Sequence, residues 1–285
     1  AHDLDLEVPD FRVALETLGR AGDAERALRL CGAIWRLWYD RGDYADERLK
    51  LDALLASADG STSMLVVGRG QMAAGALAYR GGDQVSAEHH FARAVEALSL
   101  VPDVHSLARA LEYLGIVRIV RGEPAQAQQC FQRLVEVLGD HAEPSRLVGA
   151  RHRLAQIQAS QGDLPAAHAT LNECMASTEV LPFELTLDIR ESLARVRSLL
   201  GDFAAANEQV EQGVLDARGI HRQRRAILWQ ILHGLVASAL GEYERANATL
   251  REVAAAWRAD GDLREVARAY HNLAEVALAQ GDYPT

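Results

Sequence analysis

Apolar residues in this chain recur every three or four positions, a spacing that places them on one side of an α-helix. The stretch Ala110-Leu111-Leu114-Val117-Ile119 is an example, and no sustained apolar-polar alternation of the kind typical of strands occurs in the sequence. The pattern therefore predicts an all-α protein. About fourteen helices are expected, near residues 10–21, 24–40, 44–57, 62–80, 84–100, 104–120, 124–138, 144–160, 164–177, 183–199, 203–218, 221–239, 243–259 and 263–279.

Glycine followed by an acidic residue interrupts this pattern at a fixed interval. The pairs are Gly42-Asp43, Gly82-Asp83, Gly122-Glu123, Gly162-Asp163, Gly201-Asp202, Gly241-Glu242 and Gly281-Asp282. Successive glycines are 40, 40, 40, 39, 40 and 40 residues apart. A constant period of this length indicates one supersecondary unit copied many times. The sequence therefore predicts a solenoid of about seven helical hairpins with a period of about 40 residues.

Each Gly-acidic pair has the chemistry of a turn between two helices. Glycine can end a helix in the left-handed conformation without a steric penalty. Aspartate in the next position can accept hydrogen bonds from the free N–H groups of the following helix. The longer side chains of Glu123 and Glu242 are expected only to oppose the positive end of the helix dipole.

Side-chain size also repeats around the turn glycines. Mostly small residues stand five positions after them: Glu47, Ala87, Ala127, Ala167, Ala206 and Ala246. Large apolar residues stand nine positions after them: Leu51, Phe91, Phe131, Leu171, Val210 and Leu250. Mostly small residues stand seven positions before them: Trp35, Gly75, Gly115, Ala155, Ala194, Gly234 and Ala274. A small residue lets two helices approach, so we expect the large residue of one helix to fill the space left by the small residue of its partner.

The unbroken period predicts a single domain over residues 1–285, because no linker rich in proline, glycine or serine interrupts it. Gly22 lies only 20 residues before Gly42, so residues 1–22 are expected to form an N-terminal capping or half-repeat helix and residues 23–285 the repeats. The sequence starts with alanine and stops just after a Gly-Asp pair. We therefore expect a segment of a longer protein, truncated at its C-terminal end within a repeat.

Composition narrows the class of function. A formal charge of −10 and a pI near 5.5 disfavour general affinity for nucleic acid or anionic membranes. No apolar run approaches the roughly 20 residues needed to span a bilayer. Cys31, Cys130 and Cys174 lack paired spacing and suit burial in a reducing compartment. A cytoplasmic location is therefore expected.

The sequence motifs that would indicate a cofactor, metal or phosphate site are weak. Gly68-Arg69-Gly70 lacks the third glycine of a dinucleotide loop, because Ala73 stands in its place. His89 and His90 are adjacent, so they point about 100° apart and are expected to be a solvated pair rather than metal ligands. A phosphate-binding loop of the Gly-x-x-x-x-Gly-Lys-(Ser/Thr) type does not occur in the sequence. We therefore expect a protein that is not an enzyme, with no metal site and no cofactor.

Two further clusters have ordinary explanations. The basic run His221-Arg222-Gln223-Arg224-Arg225 is expected to be a solvated edge neutralised by Asp216 or Glu211, although it could also contact an anion, a nucleic acid or a partner. Trp35, Trp38 and Tyr39 form an aromatic cluster, and Trp229 and Trp257 follow in later helices. Core packing is expected to account for most of these rings, and the alternative is a docking surface for an N-terminal module of the parent protein.

The turn pattern Gly-Asp-(Tyr/Phe)-x-x-Ala resembles the tetratricopeptide repeat. Gly42-Asp43-Tyr44, Gly201-Asp202-Phe203-x-x-Ala206 and Gly241-Glu242-Tyr243-x-x-Ala246 are the closest copies. The resemblance covers nearly the whole chain and implies a right-handed α-α superhelix. Arrays with periods near 40 are similar to the sensor region of large bacterial ATP-dependent transcriptional activators of the maltose-regulon-activator and LuxR-like type. Residues 10–15 and 22–38 resemble the join between ATPase and repeats in those regulators.

The resemblance also implies a binding groove, because the first helix of each tetratricopeptide repeat lines the concave side of the array. The corresponding positions here are Arg29, Arg36, Tyr39, Arg69, Met72, Tyr79, Arg109, Glu112, Tyr113, His152, Arg153, Gln156, Glu191, Arg195, Arg268, His271, Asn272 and Glu275. Several arginines in one channel suit a carboxylate or an acidic peptide, since guanidinium offers paired donors. Many of them could instead pair with acidic residues one repeat away. Leu228, Ile231 and Leu235 are expected to form an apolar floor in the same channel.

The expected role is that of a non-catalytic, protein- or effector-binding sensor segment of a larger bacterial transcriptional regulator. Its expected partners are a protein, a peptide or a small effector in the groove, together with neighbouring modules of the parent chain. A homo-oligomer is possible, whereas direct contact with nucleic acid or membrane is not expected. The alternative is a structural scaffold without effector that self-associates through its terminal helices.

Overall fold

The computed structural model describes residues 8–42, 44–139, 143–177, 181–219 and 223–281. In these ranges it contains fourteen α-helices and no strand, which confirms the all-α prediction. The helices are α1 Val8–Arg20, α2 Ala24–Arg41, α3 Tyr44–Ser57, α4 Met64–Arg80, α5 Gln84–Leu98, α6 Val104–Val120, α7 Pro124–Leu138, α8 Pro144–Ser160, α9 Leu164–Met175, α10 Phe183–Leu199, α11 Phe203–Gly219, α12 Gln223–Ala239, α13 Tyr243–Asp260 and α14 Leu263–Gln280.

The chain divides into two compact units. Unit 1 covers Ala1–Ala142 and holds α1 to α7, and unit 2 covers Glu143–Thr285 and holds α8 to α14. Inside each unit the helices pack in chain order, every helix against the next one. The hairpins therefore stack as the repeat predicts. A single domain over the whole chain remains a prediction.

The turn glycines behave as their chemistry indicates. Gly82, for example, has a φ of +83°, and the other glycines of the Gly-acidic pairs also have positive φ. The aspartates cap the following helices: the side chain of Asp83 accepts a hydrogen bond from the Ser86 N–H at 3.0 Å, and Asp163 does the same for Ala166 at 3.2 Å. Glu123 forms no such bond at the start of α7. The predicted difference between aspartate and glutamate at this position is therefore confirmed.

The predicted pairing of small and large residues is visible at three hairpins. A Cβ atom on Gly115 would lie 2.6 Å from the ring of Phe131, and one on Gly75 would lie 2.9 Å from Phe91. The same addition at Gly234 would meet Leu250 at 2.7 Å. Ordinary carbon contacts are 3.5–4.0 Å, so only glycine allows this approach of the two helices. The ring or branched side chain fills the notch that glycine leaves.

The N-terminal helix α1 packs against α2. Phe11 and Leu15 of α1 contact the buried cluster that includes Leu28 and Trp38. Glu47 in α3 is 1% exposed, and its carboxylate forms ion pairs with Arg12 of α1 and with Lys50. Unit 1 thus joins its first helix to the repeats by both apolar and charged contacts.

Among the described residues, no helix combines the length and the apolar character that crossing a bilayer requires.

Candidate binding faces

The first helices of successive hairpins lie side by side inside each unit. In unit 1, α2 contacts α4 and α4 contacts α6. In unit 2, α8, α10, α12 and α14 contact each other in this order. We call the surface that these helices form the first-helix face of each unit. It carries the residues at the positions that the repeat pattern assigns to the groove.

The first-helix face of unit 1 holds arginines that are already paired. The Arg29 guanidinium donates to Glu25 at 2.8 Å on the same helix. Arg69 of α4 donates to Asp103 at 2.9 Å and to the Ser106 hydroxyl at 3.3 Å, at the start of α6. Burial acts to raise the pKa of Asp103, but the hydrogen bonds that Ser106 and Arg69 donate to the carboxylate outweigh it, so the pKa lies below its usual value. The pairing with acidic residues that the sequence allowed therefore occurs.

Aromatic side chains occupy the C-terminal part of α2. Trp35 and Tyr39 meet edge to face with centroids 5.8 Å apart, and the guanidinium of Arg36 lies 5.4 Å from the Trp35 ring centre. Arg80 lies 5.1 Å from the Tyr39 ring centre. These cation-π contacts hold two exposed arginines against half-buried rings. Trp38, in contrast, is a core residue with 2% exposure.

The side chains at the remaining predicted groove positions of unit 1 differ in their exposure to solvent. Met72 is buried, Tyr79 is half-buried and Glu112 is exposed. Tyr113 stacks on Phe91 of α5 with centroids 5.3 Å apart, so its ring belongs to the packing between helices.

Arg109 is half-buried. Its guanidinium forms no hydrogen bond or ion pair with the described residues of unit 1. Arg36, whose guanidinium lies over the Trp35 ring, likewise has no carboxylate partner among the described residues of unit 1.

In unit 2 the first-helix face begins with a polar cluster. The Nε2 atom of His152 lies 2.8 Å from the Ser192 Oγ of α10 and 3.3 Å from the amide nitrogen of Gln156. The amide oxygen of Gln156 accepts from exposed Arg153 at 3.2 Å. His152 is 5% exposed, and this burial lowers its pKa to about 4. The imidazole is therefore neutral at pH 7 and links α8 to α10.

An apolar strip follows on α12. Leu228 and Leu235 are 41% and 38% exposed, whereas Ile231 between them is 8% exposed. Two exposed leucines seven residues apart lie on the same side of a helix, about two turns from each other. The predicted apolar floor thus consists of two accessible side chains above one that belongs to the core.

The charged residues on either side of this strip are paired within their own helices. Arg195 donates to Glu191 at 2.7 Å on α10, and Arg268 forms an ion pair with Glu265 at 2.9 Å on α14. The other predicted positions on α14 are exposed His271, half-buried Asn272 and exposed Glu275.

The prediction of a solvated histidine pair was wrong for one of the two residues. His89 is exposed, but His90 is 9% exposed. Its Nδ1 lies 2.8 Å from the Gln71 side-chain oxygen and its Nε2 lies 3.2 Å from the Asp52 carboxylate. Burial lowers the pKa of His90, and the negative charge of Asp52 partly opposes this effect. The histidine joins α3, α4 and α5 because its two nitrogens reach opposite neighbours.

The three cysteines lie in the interior of the described part of the chain. Cys31, Cys130 and Cys174 are buried and free, and burial raises the pKa of Cys31 to about 12 and that of Cys174 to about 11. Within the described ranges, no three acidic, histidine or cysteine side chains come together in a way that could hold a metal ion.

The basic run at residues 221–225 falls on positions whose side chains lie outside the described residues. The two carboxylates expected to neutralise it have other contacts. Glu211 accepts from Arg245 at 2.9 Å, and Asp216 lies 3.7 Å from Arg190.

On the other side of α12 is a cavity of about 370 Å³ between α11, α12 and α13. It is lined by Glu211, Val214, Leu215, Gln230, His233, Thr249 and Glu252. The guanidinium of Arg245 contacts both Glu211 and His233 near this cavity. Leu215 at its wall is 63% exposed.

Sequence reasoning missed Ser192, which completes the polar cluster of unit 2. The period contained a signal: Ser192 is 40 residues after His152. The interval between Gly162 and Gly201 is one residue short, so counting back from each turn glycine assigned the two residues to different positions. Their side chains nevertheless face each other across α8 and α10.

No protein-family model matches this sequence, and no curated protein matches it significantly. Solved structures do resemble it. One is a STAND protein (signal transduction ATPase with numerous domains) with a tetratricopeptide repeat sensor from Pyrococcus horikoshii; at 16% identity and a TM-score of 0.70 the match covers 98% of this chain and 44% of that one. The apo form of RapI matches 90% of this chain and 99% of its own at 11% identity and a TM-score of 0.64.

A third similar structure is a Rap protein in complex with competence and sporulation factor. The match has 14% identity and a TM-score of 0.57, and it covers 98% of this chain and 88% of that one. At these identities the likeness concerns the fold. The chain therefore has a tetratricopeptide-like repeat fold of stacked helical hairpins, similar to that of solved proteins that include the sensor-bearing STAND ATPase.

Proposed function

We propose that this chain is a non-catalytic binding segment whose first-helix faces take a protein or peptide partner or a small effector. The observation that carries the proposal is the pair Leu228 and Leu235, which are about two-fifths exposed at positions of α12 that the repeat pattern predicts to line the groove. Leucines on a solvated surface lose free energy that burial by a ligand would recover, about 25 cal/mol per Å² of apolar area. The paired charges of α10 and α14 lie on the helices next to this strip.

The finer proposal is a sensor in a larger bacterial transcriptional regulator. A STAND ATPase with a tetratricopeptide sensor and a Rap protein complexed with competence and sporulation factor have similar folds, which supports a role in signal recognition. The mechanism is differential binding: a ligand that prefers one arrangement of the hairpins shifts the population toward it and so alters contacts with neighbouring modules.

A peptide array probed with the purified chain tests the binding proposal. Hits are then measured by titration with the double variant Leu228→Glu/Leu235→Glu, which places charge on the apolar strip. Leu215→Glu is the matched control, because Leu215 is exposed on α11, away from the first-helix face. We expect the double variant to weaken binding at least tenfold and the control to leave it unchanged.

An array without hits, or hits that both variants bind equally well, would contradict the proposal. Sedimentation at increasing concentration separates it from the scaffold alternative. Association of the chain with itself that is indifferent to the array ligands would favour the scaffold.

A further inference from the structure

One side of α14 carries a stripe of exposed apolar side chains, which we call the α14 stripe. It consists of Leu263, Ala267, Tyr270, Ala274 and Leu278. The three large side chains are 75%, 49% and 52% exposed in this order, and both alanines are exposed as well. Their spacing of four, three, four and four residues keeps all five on one side of the helix. Val266 and Val276, by which α14 packs on the core of unit 2, lie on another side.

The α14 stripe differs from the pattern of the preceding first helices in unit 2. At the position of Tyr270, α12 and α10 carry the polar residues Gln230 and Arg190, 40 and 80 residues earlier. At the position of Leu278 both helices carry serine. Each of these helices nevertheless packs against the second helix of its own hairpin. The packing of an ordinary hairpin therefore does not require the apolar residues that α14 has at these two positions.

The α14 stripe is also symmetric along its length. Its two leucines lie 7.5 residues on either side of a midpoint between residues 270 and 271, and its two alanines lie 3.5 residues on either side. When two copies of α14 are placed antiparallel about this midpoint, leucine meets leucine at both ends and alanine meets alanine between them. The alanines allow a close approach of the two helices, and Tyr270 of each copy fills the centre. A two-fold contact requires a self-complementary surface of this kind.

Two charged residues beside the α14 stripe are complementary in the same arrangement. Arg264 and Glu275 are exposed, and neither has a hydrogen bond or ion pair with a described residue. They are eleven residues apart, about three helical turns, and so lie on the same flank of the helix. In the antiparallel pair, Arg264 of one copy lies within about one turn of Glu275 of the second copy. A parallel pair in register would instead place like charges side by side, which is unfavourable.

We propose that the α14 stripe binds the same stripe of a second copy of this chain and forms an antiparallel dimer with two-fold symmetry. The inference goes beyond the proposed function and does not rest on it. It also differs from a scaffold joined through both terminal helices, because a two-fold contact through one helix closes at two copies whereas joints at both ends continue to grow. A single helix pair buries less than the roughly 800 Å² per partner of a standard interface. The dimer is therefore weak, with a dissociation constant on the order of tens of micromolar.

Sedimentation equilibrium of the whole chain at pH 7 tests the dimer, over about 1 to 500 µM so that the range spans the expected constant. We expect a reversible equilibrium between one and two copies. Ala274→Glu places a charge at the contact between alanines and should weaken the dimer at least about tenfold. Ala279→Glu is the matched control, because Ala279 is exposed on the same helix about 140° around the axis from Ala274. Circular dichroism verifies that both variants remain folded.

Introduced cysteines test the antiparallel register. Ala267→Cys mixed with Ala274→Cys should give a disulfide between copies under mild oxidation, because these two positions face each other in the dimer. Either variant alone should cross-link far less, since identical positions lie about 10 Å apart along the helix axis, beyond the reach of a disulfide. The native cysteines are buried and contribute little background.

Charge reversal tests the contact on the flank. Arg264→Glu faces Glu275 of the second copy with a like charge and should weaken the dimer about fivefold. Arg264→Glu/Glu275→Arg exchanges the two charges and should restore the affinity of the parent chain. A double variant as weak as Arg264→Glu would contradict this register.

A chain that stays monomeric over the whole range, assemblies that grow beyond two copies, or an Ala274→Glu protein that dimerises like the parent would overturn the inference. Equal cross-linking in the mixture and in the separate cysteine variants would overturn it as well. Monomeric Ala274→Glu should still bind the array ligands, because Leu228 and Leu235 lie on α12. Failure of the dimer thus leaves the proposed function in place, and an array without hits leaves the dimer in place.

Discussion

The carboxylate of Glu47 lies 3.1 Å from the guanidinium of Arg12, at a position where the later repeats have alanine. The glutamate is 1% exposed, and one of its oxygens has no hydrogen-bond partner among the described residues. Arg12 belongs to α1, ahead of the repeats. The first hairpin therefore replaces a small packing residue with a buried charge that binds the preceding helix.

Removing one partner of this ion pair should lower the free energy of unfolding more than removing both partners. Arg12→Met leaves the Glu47 charge with Lys50 alone, and an undercompensated buried charge destabilises by about 3 kcal/mol or more when fully buried. Partial exposure of Arg12 reduces the expected loss to about 1–2 kcal/mol. The double variant Arg12→Met/Glu47→Ala should recover most of it. Urea unfolding of the three proteins measures the difference, and a double variant less stable than Arg12→Met would contradict the argument.

The notch at Gly115 gives a second test. Gly115→Ala places a methyl group 2.6 Å from the Phe131 ring, and overpacking of this kind costs about 1–3 kcal/mol. Gly149→Ala is the matched control, because nothing lies within 4 Å of a Cβ at that helical glycine. The Gly149→Ala substitution should stabilise the protein by about 0.5–1 kcal/mol.

Thermal and urea unfolding give both values. A second substitution, Phe131→Leu, should recover part of the loss in Gly115→Ala because the smaller side chain vacates the notch. Equal effects of the two glycine substitutions would show that the close approach of α6 and α7 is not what requires glycine.

Aspartate and glutamate directly after a turn glycine are predicted to contribute differently to stability, because only the aspartate caps the following helix. Asp163→Ala removes the hydrogen bond to the Ala166 N–H and should destabilise by about 0.5–2 kcal/mol. Glu123→Ala removes no capping bond, so its effect should be no more than a few tenths of a kcal/mol. Urea midpoints distinguish the two, and an equally large loss at Glu123 would argue against capping as the cause.

The buried histidine of unit 2 predicts a dependence of stability on pH. The pKa of His152 is about 4 in the folded chain, below the value of about 6.5 in an unfolded one. Between these values the unfolded chain binds a proton that the folded chain does not. The contribution of His152 to the free energy of unfolding is therefore complete above pH 6.5. It decreases as the pH falls toward 4, by about 3 kcal/mol at most.

His152→Gln should flatten the stability curve between pH 6.5 and 4. His271→Gln is the control, because His271 is exposed in α14. Urea unfolding at a series of pH values makes the comparison, and the difference between variant and parent curves isolates His152 from His90. Identical slopes in all three proteins would contradict the role of burial.

Much of the fold could be predicted because the signals are local. Gly82 fixes a turn, Asp83 caps the next helix, and Gly75 marks the notch for Phe91, all within one 40-residue unit. Contacts between side chains of different helices were harder to predict from the sequence. The burial of His90 depends on Asp52 and Gln71, which lie on two other helices, and the pairing of Arg69 with Asp103 depends on the next hairpin. Periodicity places such residues on a helix but not against a partner.

The glycine notches have a consequence for the way this chain reaches its native state. Phe91 enters the notch of Gly75, and Phe131 that of Gly115, each from 16 residues away in the sequence. Only a short loop must close for each such contact, and closing short loops costs little chain entropy. Low contact order favours rapid folding, so we expect the contacts within each hairpin to form early and the stacking of neighbouring hairpins to stabilise them.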